Sequence, residues 1–116
     1  IVPDSGSVYE ANNAANSTWE QDLEKAINQS NGTDKKVFAY FYTDIERCRS
    51  FEKDILSVQE KKILEKFIGV KINILQNQET KSKYGIYRIP SILILSAGGT
   101  DKKEIPATNA GIESLF

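Results

Sequence analysis

The chain has 116 residues, 40% of them hydrophobic and 27% charged, with 15 Lys+Arg against 16 Asp+Glu for a formal charge of −1. That length suits one domain, and a pI near 5.5 lacks the basic footprint of a nucleic-acid binder. With no histidine and the single cysteine Cys48, Ser-His-Asp and Cys-His catalysis within the chain, an intramolecular disulfide and a zinc site all drop out. No metal or cofactor is expected. No apolar run approaches the roughly 18 residues of a bilayer-spanning helix, so neither direct membrane insertion nor a signal peptide is expected.

Residues 1–17 carry Pro, Gly, Ser and Asn without apolar periodicity and read as a linker or mobile arm. The chain begins at Ile1 and holds no methionine, so a processed or excised chain is expected. Three N-x-S/T sequons, at Asn16, Asn28 and Asn31, match the glycosylation acceptor pattern but also arise by chance in so Asn/Ser-rich a stretch. A helix is expected from Ser17 or Thr18, because Ser17 with Glu20 and Thr18 with Gln21 both fit a capping box. Trp19, Leu23, Ala26 and Ile27 would form its apolar face.

Val37–Tyr42 (VFAYFY) is a β-branched and aromatic run typical of a strand buried on both faces. Thr43 to Glu46 repeats the capping-box pattern and opens a long helix lined by Phe51, Ile55 and Leu56. Val58, Ile63, Leu64 and Phe67 continue that face after a phase shift, predicting a kink or break near Ser57, with Ser57 and Glu60 capping a second helix. Phe67–Leu75 reads as a strand, 76–84 as a short polar helix ended by Gly85, and Ser91–Leu95 as a third buried strand. Residues 97–100 form a turn, Lys103–Ile105 a short edge strand blunted by Pro106, and a last helix begins at Thr108. Alternating helices and strands imply an α/β fold with a mixed sheet of about four strands. Its closing pair must be antiparallel, since a short turn cannot make a parallel crossover.

Three stretches resemble the thioredoxin superfamily: Val37–Phe51, with the loop TDIERC between strand and helix; Lys83–Ser91 (KYGIYRIPS); and the terminal hairpin around Gly98-Gly99. The resemblance covers residues 18–116 and implies a thioredoxin-like domain, with Pro90 as a cis-proline before the third strand and facing the active site. It aligns Cys48 with the second, resolving cysteine of the C-x-x-C motif. The attacking position falls on Ile45 or Glu46, depending on where a one-residue loop deletion is placed, and neither can attack a disulfide. The buried carboxylate that assists proton transfer in the family maps onto Tyr40, and the family's active-site tryptophan has no counterpart, Trp19 being a packing anchor.

The expected function is therefore a domain that has lost catalysis and binds a protein or peptide partner. The degenerate loop Thr43, Asp44, Ile45, Glu46 and Arg47 marks the old site, and the groove beside Ile89 and Pro90 receives an extended segment by strand addition. The alternative is a monothiol oxidoreductase in which Cys48, flanked by Arg47 and Arg49, forms a mixed disulfide with glutathione or a protein. A third reading makes the domain part of a larger chain. Thr43 with Glu46 reads first as a helix cap, Arg47 and Arg49 as solvated charges or an anion-holding pair, and Tyr40, Tyr42, Tyr84 and Tyr87 as core or groove lining. An extracytoplasmic location is expected.

Overall fold

The computed structural model describes residues 19–96 and 101–116. The strands are β1 (Lys36–Tyr42), β2 (Phe67–Asn73), β3 (Ser91–Leu95) and β4 (Lys102–Ile105). They form one mixed sheet of 4 strands in the order β2-β1-β3-β4. β2 runs parallel to β1, β3 antiparallel to β1, and β4 antiparallel to β3. Helix α1 (Leu23–Asn31) precedes the strands, and α2 (Glu46–Phe51), α3 (Ser57–Lys66), α4 (Gln78–Lys83) and α5 (Asn109–Glu113) connect or follow them.

The apolar run of β1 supplies both faces of the sheet, because successive side chains point to opposite sides. Val37, Ala39 and Phe41 pack with Leu23 and Ala26 of α1 and with Val70, Ile72 and Leu93. Phe38 and Tyr40 pack on the other side with Phe51, Leu56, Ile63, Phe67 and Ile112. Burial on both sides explains why this strand is apolar throughout, without alternation.

Four local expectations are corrected. Asp22 is the N-cap of α1, accepting from the Lys25 amide, so the helix begins later than Ser17 or Thr18, which lie outside the described residues with the arm 1–17. Trp19 and Glu20 are not helical. Glu20 bridges β2 in parallel, its N–H donating to Gly69 O and its carbonyl accepting from Lys71 N, each at 2.8 Å. Trp19 thus leaves the α1 face for the opposite core, edge-on to Phe38 with its indole N–H on the Glu60 carboxylate. Gly69 makes room for it, since a Cβ there would lie 2.7 Å from the indole ring and 2.6 Å from Leu64.

The phase shift before Ser57 is absorbed by a π-helical turn, Glu52–Leu56, that joins α2 to α3 without a break. Ser57 is itself helical (φ −65, ψ −31), and its hydroxyl donates to the Lys53 carbonyl at 2.7 Å, so it caps nothing. Val58, expected inside, is 72% exposed. Gln59 is buried instead and donates to Asn109 and Glu113 of α5. The third correction concerns Thr43 and Glu46, which form no capping box. Ile45 takes the N-cap position without a side-chain bond, and Thr43 turns inward to donate to Asn73 Oδ1 at 3.3 Å. Fourth, β2 stops at Asn73, short of Leu75, and Asn73 Oδ1 accepts from the Leu75 amide as the chain turns. Gly85 follows α4 with φ +66, letting Ile86 N–H reach back to the Lys81 carbonyl. The Gly98-Gly99 turn lies outside the described residues.

Candidate functional site

Three connections converge at one end of the sheet. β1 ends at Tyr42 opposite Asn73 of β2, and Ser91 at the start of β3 stands opposite Phe41. The loop into α2, the turn after β2 and the segment before β3 therefore share that end, where the strand ends of an α/β sheet commonly present a ligand site.

In the loop, Asp44, Ile45, Glu46 and Arg47 are exposed, with Asp44 paired to Arg49, whereas Thr43 is buried. Cys48 is fully buried at 0% exposure. Beneath it the Tyr40 hydroxyl donates to Glu52 Oε2 at 3.1 Å and lies 3.4 Å from the Cys48 carbonyl oxygen. Tyr40 stacks on Tyr42 (ring centroids 5.4 Å apart, planes 6° apart) and meets Phe51 at 5.5 Å. Burial pushes the Tyr40 phenol far up, with the Glu52 carboxylate and then Cys48 adding to the rise. The Tyr42 phenol is raised by the same burial and by Glu52. At neutral pH Tyr40 is therefore a neutral donor. The carboxylate of the cluster comes from Glu52 at the start of the π turn, a residue sequence reading missed. Its spacing of four from Cys48 was visible, but only the fold shows that Tyr40 faces it.

The Ile89–Pro90 peptide is cis, and a groove of about 560 Å³ opens beside it. Arg47, Ser50 and Asp54 line it from the helix side, and Arg88, Pro90 and Glu104 from the strand side. The Ile89 N–H has no acceptor among the described residues, and its carbonyl is met only by Arg47 Nη1, at 3.4 Å and exposed. Of loop residues 43–47, Arg47 lines this cleft beside Ile89 and Pro90, and Thr43, Asp44, Ile45 and Glu46 do not. Arg88, Asp54 and Glu104 join it unannounced, being ordinary surface charges in the sequence. Tyr84 lies under Lys83 and Lys102 on the other side of the sheet, and Tyr87, expected in core or groove, is 88% exposed. Among the described residues no cluster of three or more Cys, Asp or Glu side chains could hold a metal, and no helix is long and apolar enough to cross a membrane.

Many solved structures share this arrangement. A Thermus thermophilus thioredoxin matches with a TM-score of 0.69 at 15% identity, over 85% of this chain and 84% of that one. The chain has a thioredoxin fold. A disulphide isomerase from Xylella fastidiosa aligns at TM-score 0.66 and 22% identity, over 81% of this chain and 85% of that one. A Fasciola hepatica thioredoxin gives 0.63 at 19% identity, over 80% and 86%. At these identities the likeness is one of fold. No family model and no curated protein sequence matches the chain. The single cysteine of the chain is Cys48, with Ile45 three residues and Glu46 two residues before it.

Proposed function

We propose that this domain is a thioredoxin-fold binding module without dithiol chemistry, which takes an extended protein segment into the groove beside Pro90. Disulfide exchange by a single domain needs one thiolate to attack and a second thiol to resolve the mixed disulfide. This chain has one cysteine. The observation that carries the reading is a buried thiol next to an open groove. Cys48 has no exposed surface, while Ile89 lines the cleft with an N–H that has no acceptor among the described residues and a weakly held carbonyl. Those two backbone groups are what an incoming strand needs, and they require no sulfur.

The test is a peptide screen read by backbone amide shifts. Binding should perturb Ile89 and Ser91, and S50W, which places an indole in the groove from an exposed helix position, should abolish it. V58W, on a different face of the same helical stretch, should leave it intact. An insulin-reduction assay should show no turnover. Peptide binding that ignores S50W would place the interaction elsewhere and end this reading. Rapid glutathionylation of the native protein would favour the monothiol alternative.

A further inference from the structure

The groove carries cationic charge that the fold itself leaves unsatisfied. Arg49 is paired with Asp44, but Arg47 makes only the exposed 3.4 Å contact with the Ile89 carbonyl. Arg88, adjacent to Ile89, makes no hydrogen bond or ion pair among the described residues. Two carboxylates, Glu104 and Asp54, share the cleft, and among the described residues neither is ion-paired with these arginines. Glu104 is held on the β4 side by the Ser91 hydroxyl at 3.3 Å. Asp54 follows Arg47 along the helix, roughly 10 Å of rise away. The arginines thus meet the cleft at the loop before Pro90, Asp54 meets it at the π turn, and Glu104 stays with Ser91.

We infer that the groove selects extended segments with an acidic side chain next to the residue that pairs with Ile89, and that Arg47 and Arg88 determine this preference. The inference rests on the peptide-binding reading above and names the partner's chemistry. A strand adding to Ile89 must take the carbonyl that Arg47 now occupies. A long, exposed bond is easily given up. The released guanidinium then needs an acceptor, and a carboxylate one residue away supplies it in the bidentate geometry that arginine favours. Arg88 reinforces the same end, whereas Asp54 repels an acid placed at the other. Register and direction of the bound segment follow from that asymmetry.

The experiment uses capped seven-residue peptides, uncharged except for a single Asp or Lys moved through each position, titrated into the intact domain. At one position Asp should tighten binding about fivefold over the neutral peptide, and Lys should weaken it, the scale of a solvent-exposed charge pair. R47Q and R88Q, at exposed sites that leave the core untouched, should each reduce that preference, and the double variant should remove it, read as the ratio of Asp-peptide to neutral-peptide affinity. Raised salt should shrink the preference in parallel. Binding with no charge preference, or a preference that survives in the double variant, overturns the inference but spares the peptide groove. No binding of any peptide overturns both.

Discussion

Cys48 should react with thiol reagents only when the domain opens. Its side chain has no solvent-accessible surface, and it sits in α2, whose next turns carry the buried Phe51 and Leu56. Exposing the sulfur means lifting this helix off the sheet. Returning Phe51 and Leu56 to water costs about 1.5–3 kcal/mol each, so the opening costs about 3–6 kcal/mol. At about 1.4 kcal/mol per factor of ten, the native thiol should react two to four powers of ten more slowly than the same thiol in denaturing urea. The assay is the pseudo-first-order rate with a chromogenic disulfide at mildly alkaline pH, where unfolded thiols are partly ionised. The native rate should rise steeply as denaturant approaches the unfolding midpoint. A native rate within about tenfold of the unfolded rate would refute the burial argument and bring back Cys48 as a working nucleophile.

Two further outcomes follow from the packing. Tyr40 has its phenol raised in the folded state above the ordinary 10.0, so its contribution to stability is complete below that pH and is lost as pH rises past it. The unfolding free energy should fall above pH 10 by up to about 1.4 kcal/mol per pH unit from this group. Y40F should flatten that fall and, by removing the donor to Glu52, cost about 1–2 kcal/mol at neutral pH. Denaturant melts across alkaline pH check it, and an unchanged slope in the variant would contradict the assignment. Separately, G111A places a methyl 2.1 Å from the Pro106 carbonyl oxygen and 3.0 Å from its carbon, backbone atoms that cannot swing aside. It should destabilise the domain by about 3 kcal/mol or more, read as a lower urea midpoint at constant slope. A loss below about 1 kcal/mol would mean that the α5 junction is looser than its geometry.

How much was legible in the sequence depended on the range of the interaction involved. VFAYFY, SILIL and KYGIYRIPS carry their signals within a few residues, and each lies where its pattern put it. Trp19 and Glu20 were misread because a local capping pattern competes there with a strand bridge to residues about fifty positions away, and the bridge wins. Thr43 failed for the same reason, its hydroxyl going to Asn73 on the neighbouring strand instead of its own helix. The phase shift before Ser57 was visible, but a π turn and a cap produce the same pattern of apolar residues. The helical backbone of Ser57, its hydroxyl on the Lys53 carbonyl and the contact of Gln59 with α5 distinguish them. In the site, the missing attacking thiol was legible by counting cysteines. The charged lining of the groove was not, because Arg88, Asp54 and Glu104 become neighbours only when helix and sheet edge meet.

The chemistry around Cys48 also argues against a site that merely awaits one thiol. A resolving thiol must give up its proton, and the family places a carboxylate beneath the helix to assist. The resemblance maps that position onto Tyr40, which burial holds neutral and which already donates to Glu52. A neutral phenol at this place offers a proton and takes none. Glu52 has its Oε2 engaged by that phenol, so the nearest carboxylate meets the cluster from the helix side through the tyrosine. On the proposed reading two changes point the same way: Ile45 or Glu46 stands where an attacking thiol would be, and Tyr40 where the assisting carboxylate would be. The groove depends on neither. The proposed strand addition would read the backbone of Ile89, and backbone groups stay available whichever side chains occupy the loop. On that reading, recognition carried by the main chain would not depend on a second thiol.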